Sequence, residues 1–490
     1  MENVDANVDA NVDALISNII GNGKWWAGGG IIHESVVIEK TEKNGLPDHG
    51  IFVQSGKSIQ KGETILSVSY DKCISVDSIL SSKLSLIFED EDFAGLVNYP
   101  DEILAIGLMY HTSTASSEKE ESLSWKLHVD LMPRTFNSTI YWSEDEIKEL
   151  SPSVIFHLTK LMNQQIAGDW RTIHEPISQK YPDLLGHITI DLYKWALSVV
   201  YSRAVGFTRS NGKYVRCIPP IIDMANHSPF VGTEAADTFR FDDEKNHIQL
   251  IASEDRAAGE ECFAVYSYYP NSKLAFSYGF VVLNNPHRAI DLWTRVTPSI
   301  SNADQKQKIL LAHELTREQS YDFAGTIREN WISPALLATI RVIQCTDKEL
   351  QDVIEVEKVV GNDIASSEEV QLSVEGNSAV EGGEGKKSSL FERAFKGQMI
   401  SVRNELASYA SLKYLISSRM SVEKAESDRA TLGEMLLAST PLSDRLLMAL
   451  IIRVEERELL QDSIALVDSW IEKVTVEQEA YNPPDNIYFS

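Results

Sequence analysis

The chain has 490 residues and a formal net charge of −27 at pH 7. A chain of this length is too long to fold around one hydrophobic core, so two to four domains are expected. Hydrophobic residues make up 43% of the chain, which is ordinary for a globular protein, and no apolar run reaches the roughly 18 residues of a membrane span. The acidic field repels nucleic-acid phosphates. We therefore expect neither nucleic acid nor a membrane as a partner. The negative charge either attracts basic proteins or only keeps the protein soluble.

The first 14 residues repeat Asn-Val-Asp-Ala and are acidic. This composition predicts a disordered tail. The N-terminal stretch has neither the basic start of a secretory signal nor the arginines of a transit peptide. We expect a cytoplasmic and/or nuclear location.

Short apolar segments bounded by turn residues predict strands on both sides of a long helical region. The strand-like segments are 51–53, 64–68, 216–218, 248–251 and 262–266. Within the helical region Leu192, Trp195, Val199 and Arg203 recur at the three- and four-residue spacing of one helix face. From about residue 303 onwards the pattern is again helical.

These patterns predict an α+β fold, in which a β-rich core with a helical insertion precedes an all-α C-terminal domain. The predicted bounds are a tail over 1–14, a first domain over 15–300 with its insertion at about 80–190, and a helical domain over 301–480. A stretch rich in Ser, Gly and Glu at about 361–387 predicts a disordered loop inside that helical domain.

The four cysteines are scattered and form no C-x-x-C pair, and no histidines form H-E-x-x-H; the cysteines are Cys73, Cys217, Cys262 and Cys345. This argues against a metal site and against a disulfide framework. We expect buried free thiols and no metal.

Two stretches concentrate polar and aromatic groups beside apolar runs. In the first, Asp223, Asn226 and His227 follow the apolar run that begins at Pro219. The second extends from Gly259 to Phe280 and contains four tyrosines within thirteen residues: Tyr266, Tyr268, Tyr269 and Tyr278. Taken singly, each stretch favours a strand that ends in a polar turn, with tyrosine hydroxyls reaching water.

Together, the two stretches resemble the SET domain, in the branch that contains the Rubisco large-subunit, ribosomal-protein and actin-histidine methyltransferases. The family's D-x-x-N-H-S motif is similar to Asp223 to Ser228, and its Tyr…Asn…Tyr-Gly-Phe pattern to Tyr266, Asn271 and Tyr278-Gly279-Phe280. Further similar segments lie around His49-Gly50-Ile51, Trp195, Ser202-Arg203-Ala204 and Arg453–Leu459, the last in a Rubisco-LSMT-type substrate-binding domain.

The resemblance implies an S-adenosyl-L-methionine cofactor. The cofactor-binding residues that it implies are Gly50, Ile51, Arg203, Asp223, Asn226, His227, Tyr266 and Tyr278. Asn226 and His227 would hold the adenine and amino-acid ends, and Arg203 would face the cofactor carboxylate. Tyr266 matches the catalytic tyrosine, and the implied substrate channel consists of Val205, Tyr278 and Phe280.

Three functions stay open. The favoured one is a protein-lysine N-methyltransferase, because the actin-histidine relative carries an Asn where this chain has Val205, and an apolar side chain suits a lysine stem. The alternatives are a protein-histidine N-methyltransferase and an inactive SET-fold binding protein. The zinc-binding cysteines of histone-directed SET domains have no counterpart here, so we expect a non-histone protein substrate, with ribosomal and translation proteins as candidates. We also expect a monomer.

Overall fold

The structure is a computed structural model that describes residues 31–43, 46–113, 120–231, 238–312, 322–328, 331–351, 399–420 and 425–480. The predicted acidic tail and the predicted loop at 361–387 lie outside these ranges. The chain divides into two compact units, one of residues 1–287 with 429–452 and the other of residues 288–428 with 453–490.

Within the described ranges, the strands of the first unit form three small antiparallel sheets. Its strands are β1 (Ile31–Ile32), β2 (Val36–Lys43), β3 (Leu46–Val53), β4 (Thr64–Ser69), β5 (Ile74–Ser75), β6 (Val205–Thr208), β7 (Tyr214–Ile218), β8 (Phe239–Asp242) and β9 (His247–Ile251). One sheet has the order β1-β4-β9-β8, a second the order β5-β7-β6, and β2 pairs with β3. Branched apolar side chains such as Ile51, Val68 and Ile248 face a shared core, which is why these short strands stay together.

A run of helices separates β5 from β6, as the sequence predicted. These helices are α1 (Val76–Leu80), α2 (Ser85–Phe88), α3 (Pro100–His111), α4 (Glu120–Leu131), α5 (Glu144–Lys148), α6 (Val154–Asp169), α7 (Glu175–Lys180), α8 (Pro182–Leu185) and α9 (Ile190–Arg203). The side chain of Thr189 caps α9 by accepting from the backbone N–H of Leu192. Helices α3 and α9 pack together in an apolar core that also includes Ile74 of β5 and Ile218 of β7, so the insertion packs against the β-rich part.

His111 at the end of α3 is buried in this helical core. Its ring meets the edges of Tyr110 and Trp125 at centroid distances of 5.1 and 5.4 Å. Burial, with a smaller contribution from Lys126, lowers the pKa of His111 to about 4. The helical insertion is therefore built around an imidazole that stays neutral at physiological pH.

The helix that follows the second motif, α10 (Asn271–Ser277), completes the first unit together with residues 429–452. The core here includes Trp142, Ala275 and Leu447. Residues from three distant parts of the chain thus share one apolar cluster. The sequence predicted one boundary near residue 300, and local composition gives no sign that residues 429–452 belong to the first unit.

The second unit is helix-rich but not entirely helical. Its elements are β10 (Ala289–Arg295), α11 (Ala303–Ala312), β11 (Asp322–Arg328), β12 (Trp331–Ile332), α12 (Pro334–Ile343), α13 (Val402–Ser418), α14 (Ala425–Leu437) and α15 (Arg445–Glu477), the last two beginning or ending in the first unit. The three strands form an antiparallel sheet in the order β10-β11-β12. Ile290 and Leu292 are buried while Asp291 and Trp293 are exposed, and this two-residue alternation explains the strand that the prediction of an all-α domain missed.

A buried ion pair lies inside the second unit. The Nε of Arg341 donates to Glu405 at 2.8 Å, and the two side chains are 1% and 0% exposed. Asn404 adds a bond to the backbone carbonyl of Arg341 at 2.9 Å. Each charge in the pair depends on the other for compensation.

Candidate active site

The Asp223 motif begins in a strained turn. Ile221 has a φ of 70°, a region that a β-branched residue adopts at a cost of about 1–3 kcal/mol. A short 3-10 helix over Ile222–Met224 follows, with the backbone N–H of Met224 donating to the carbonyl of Ile221 at 2.9 Å. The side chain of Ile221 is buried. The turn thus needs support from the side chains around it to keep its shape.

Asp223 is the centre of a buried ionic cluster. Its Oδ2 accepts from Nη1 of Arg203 at 3.1 Å and lies 3.1 Å from Nε2 of His128. The same Nη1 donates to the backbone carbonyl of Asp223 at 2.9 Å. Burial acts to raise the pKa of Asp223, but His128 and then Arg203 outweigh it and hold that pKa below its ordinary value. The carboxylate is therefore ionised at neutral pH.

Asn226 links two segments that the sequence keeps far apart. Its Nδ2 donates to the carbonyl of His49 at 2.9 Å and to Oε1 of Glu261 at 2.7 Å. A Cβ on Gly50 would lie 2.7 Å from the Phe52 ring and 2.8 Å from Oε1 of Glu261. Only glycine fits at residue 50 without displacing this group.

Tyr266 is fixed at three points. Its hydroxyl donates to the carbonyl of Ala225 at 2.8 Å, and its backbone N–H donates to Nδ1 of His227 at 3.1 Å. Its ring stacks on Tyr278 at a centroid distance of 4.9 Å, and His227 lies 5.1 Å away on a nearly parallel plane. Phe280 lies 6.0 Å from both His227 and Tyr278. The predicted catalytic tyrosine thus sits in an aromatic cluster with its hydroxyl oriented.

The strand predicted at 262–266 is absent as a regular element. The backbone there bonds to two different segments: Cys262 donates to the carbonyl of Ile51 at 2.7 Å, and Ala264 to that of Asn226 at 2.8 Å. A single isolated parallel bridge joins His227 to Ala264. Because neither segment pairs with it over several residues, this stretch extends no sheet. Its backbone instead joins the second motif to Ile51 and to the Asp223 motif.

A pocket of about 530 Å³ opens beside this cluster. Five predicted residues line it: Arg203, Val205, Asp223, Tyr266 and Tyr278. The other predicted residues, Gly50, Ile51, Asn226, His227 and Phe280, are outside its lining. Ile51, with its side chain in the core, contributes its backbone as described above. The site thus has two parts that meet at Tyr266, one polar around Asn226 and one aromatic around Val205.

Beyond the predicted residues the site contains others that were not predicted, and four of these bear directly on its chemistry. His128 and Glu261 contact Asp223 and Asn226, while Tyr269 and Arg216 line the pocket. Arg216 is paired with Asp101 through Nε at 2.7 Å. Glu261 stands beside Gly259-Glu260 in the second motif and could have been found there. His128 lies in the helical insertion, where no motif marks it.

The predicted role of Arg203, to face the cofactor carboxylate, stays a prediction. In the structure its Nη1 bonds to Asp223. The guanidinium therefore serves the pocket wall, with its charge balanced by a residue of the chain itself.

Within the ranges that the structure describes, no three His, Cys, Asp or Glu side chains come close enough to hold a metal ion. The four cysteines are buried free thiols. None of the helices in these ranges is long and apolar enough to cross a membrane.

The chain is similar to several protein methyltransferases. The Rubisco large-subunit N-methyltransferase of Nicotiana tabacum is 27% identical over 283 residues, which are 56% of this chain and 53% of that protein. A ribosomal lysine N-methyltransferase of Schizosaccharomyces pombe is 23% identical and covers 74% of this chain and 58% of its own. The actin-histidine N-methyltransferase of Homo sapiens is 25% identical over 64% of this chain and 51% of its own. The chain thus spans about half to three-fifths of the length of these relatives.

Comparisons of family and structure agree with this. A family model described as Rubisco LSMT substrate-binding matches residues 297–460. The crystal structure of the SET domain of LSMT bound to lysine and AdoHcy is similar with a TM-score of 0.68 at 21% identity, covering 96% of this chain and 92% of that one. Rubisco LSMT bound to AdoMet gives a TM-score of 0.65 at 21% identity, covering 93% of each chain. The predicted SET core with a helical insertion is confirmed, and the C-terminal region is helical as predicted except for the strands β10 to β12.

Proposed function

On the premise that the chain has the SET fold followed by a Rubisco LSMT substrate-binding region, we propose that it is an S-adenosyl-L-methionine-dependent protein-lysine N-methyltransferase acting on a non-histone protein. The observation that carries the proposal is the anchored Tyr266 hydroxyl at the edge of an aromatic pocket. The relatives named above are a Rubisco large-subunit, an actin-histidine and a ribosomal lysine N-methyltransferase, which supports a non-histone substrate.

The polar part of the site fits the cofactor. Around Asn226 lie two acceptors, the half-buried Glu261 carboxylate and the His49 carbonyl, both bonded to the Asn226 amide. Such acceptors suit the amino group and ribose hydroxyls of S-adenosyl-L-methionine. The missing side chain at Gly50 lets Phe52 and Glu261 pack close to the backbone beside Asn226, and His227 offers an aromatic face beside Tyr266. When bound, the cofactor supplies an electrophilic methyl group on a positively charged sulfur.

The aromatic part of the site fits a lysine side chain. Seven of the residues that line the pocket are aromatic: Tyr201, Phe207, Tyr214, Phe239, Tyr266, Tyr269 and Tyr278. These faces accept the aliphatic stem. Free lysine has a pKa of about 10.4, and apolar surroundings disfavour its charged form. Because burial also raises the pKa of Tyr278, that phenol stays neutral and offers no anion to hold the ammonium form.

The paired arginines keep the pocket wall close to neutral. Arg203 is balanced by Asp223 and Arg216 by Asp101. The protein therefore presents the incoming amine with neither a strong counter-ion nor strong repulsion. Under these conditions Tyr266 acts by orienting the nitrogen, a positioning and electrostatic role.

Val205 favours lysine over histidine. It packs against the apolar core and lines the pocket, so it offers no hydrogen bond to an imidazole nitrogen. A site that hydrogen-bonds its substrate rejects analogues strongly, whereas an apolar wall does not. The aliphatic part of a lysine side chain needs no hydrogen bond and packs against Val205 at no cost. An imidazole nitrogen facing Val205 would lack a hydrogen-bond partner.

The test is to incubate the purified protein with methyl-labelled S-adenosyl-L-methionine and whole-cell lysate. Acid hydrolysis of the labelled protein then separates methyl-lysine from methyl-histidine, and mass spectrometry identifies the modified protein. We expect label in methyl-lysine. Label in methyl-histidine would establish the alternative, and cofactor binding without any labelling would favour the inactive binding protein.

The Val205→Asn variant is the matched control for substrate choice. It places an amide where the actin-histidine relative carries one. We expect it to lower lysine labelling while cofactor affinity stays at the wild-type value, because Val205 does not contact the polar part of the site. Unchanged lysine labelling would show that this wall does not select the substrate.

A further inference from the structure

His128 reaches the pocket wall from the helical insertion. It lies on α4, 95 positions before Asp223 in the sequence, yet its Nε2 is 3.1 Å from Oδ2 of Asp223. Both side chains are 1% exposed. An imidazole and a carboxylate are thus sealed together directly behind the pocket that Asp223 lines.

The contact has a defined direction. An ionised carboxylate can only accept, so Nε2 of His128 carries the hydrogen and donates it. Among the residues that the structure describes, neither Nδ1 of His128 nor Oδ1 of Asp223 has a hydrogen-bond partner. The polar contact of the imidazole is therefore with the oxygen that also holds Arg203.

The contact between His128 and Asp223 matters because the Asp223 carboxylate carries a buried negative charge. Burial disfavours the ionised carboxylate, and His128 compensates this more than Arg203 does. Cys73 also faces Asp223, but burial raises the pKa of its thiol, which stays neutral. Without His128, the carboxylate would depend on Arg203 alone, and Arg203 lines the pocket.

The same turn anchors the tyrosine. Asp223 is two residues before Ala225, whose carbonyl accepts the Tyr266 hydroxyl at 2.8 Å. The turn begins at Ile221 in a left-handed backbone conformation that does not persist without external support. His128 holds it from a different structural element.

We infer that His128 is a positioning residue of the active site, which fixes Asp223 and through it Arg203 and the turn that anchors the Tyr266 hydroxyl. This inference rests on the proposed function. It assigns the helical insertion a direct part in shaping the pocket.

The chain contains a matched pair that separates positioning from plain stability. His174 lies in the helical insertion, with Nε2 3.1 Å from Oε2 of Glu102 and a side chain that is 0% exposed. It lines no part of the pocket. Removing either imidazole should cost a similar amount of stability, so a difference in activity would come from position alone.

The experiment compares His128→Leu, His128→Gln and His128→Asn with His174→Leu. The Gln amide ends near the position of Nε2 and keeps the donor, whereas the Asn amide ends near Nδ1 and withdraws it. Melting temperature, S-adenosyl-L-methionine affinity by calorimetry, and the initial rate of lysate labelling at saturating cofactor are measured for each. His128→Asn keeps the test valid if the Leu variant does not fold.

For His128→Leu and His128→Asn we expect at least about a tenfold lower labelling rate with nearly unchanged cofactor affinity. His128→Gln should recover most of the rate, and His174→Leu should lose melting temperature but label at close to the wild-type rate. Equal rates for the folded His128 and His174 variants, or a Gln variant no better than Asn, would overturn the inference. A wild-type protein that binds cofactor but labels nothing would instead refute the proposed function, on which the inference depends.

Discussion

Replacing Tyr266 by Phe removes one oxygen atom from the point where the two parts of the site meet. The lost hydrogen bond to Ala225 measures 2.8 Å, and a bond of this kind contributes about 1 kcal/mol to stability. The stacked contact with Tyr278 and the backbone bond to His227 need no hydroxyl and should persist. We therefore expect a folded variant with nearly normal cofactor affinity.

The rate should fall much more than the stability. If the hydroxyl aligns the amine in the transition state, losing about 1.4 kcal/mol of that stabilisation slows methylation tenfold. The assay is the initial rate of label transfer to lysate protein at saturating cofactor, alongside calorimetry and thermal unfolding. A lower rate at unchanged affinity places the loss in the transition state.

Tyr141→Phe is the matched control. The Tyr141 hydroxyl pairs with Oγ of Ser198 at 3.0 Å in the helical insertion, and it does not line the pocket. Its loss should lower stability by a similar amount and leave the rate unchanged. A Tyr266→Phe protein that methylates as fast as the Tyr141→Phe protein would refute the catalytic role of Tyr266.

Three further outcomes follow from the structure. Asn226→Ala removes two hydrogen bonds, so calorimetry should show cofactor binding weakened by about 1–3 kcal/mol, whereas Asn404→Ala, a buried amide in the second unit, should leave affinity unchanged. Because the pKa of His111 falls to about 4 on folding, the unfolded chain binds the extra proton between about pH 4 and 6.5. The contribution of His111 to the free energy of unfolding is therefore fully present above about pH 6.5 and is lost as the pH falls to about 4, a decrease on the order of 3 kcal/mol. His111→Phe should flatten this dependence in denaturation curves, and parallel curves for the two proteins would contradict it. Glu405→Gln should lower the free energy of unfolding by about 3 kcal/mol, since it leaves the Arg341 charge buried and uncompensated; an unchanged denaturation midpoint would show that the pair is not needed.

Much of the fold could be predicted from local sequence patterns. Alternation and helical spacing are properties of neighbouring residues, so the helical region between β5 and β6 and four of the five predicted strand segments, those in β3, β4, β7 and β9, were predicted correctly. The segment at 262–266 shows the limit of this reasoning. It is apolar enough for a strand, but its backbone partners are Ile51 and Asn226, and no window of the sequence contains all three.

The two motifs indicated the site because each contains its polar residues within a short stretch. Both segments, Asp223 to His227 and Tyr266 to Phe280, could be found without knowing the fold. In the structure they come together, since the Tyr266 backbone N–H bonds to Nδ1 of His227 and the two rings stack.

The partners of these residues were decided by the tertiary structure alone. His128 meets Asp223 across 95 positions, and Glu261 meets Asn226 across 35. A hydrogen bond between distant positions depends on how whole elements pack, and a single sequence carries no local sign of that packing. The sequence by itself therefore determined which groups this protein has for chemistry, whereas the folded chain determined that Arg203 pairs with Asp223, and that a histidine of the helical insertion supports both.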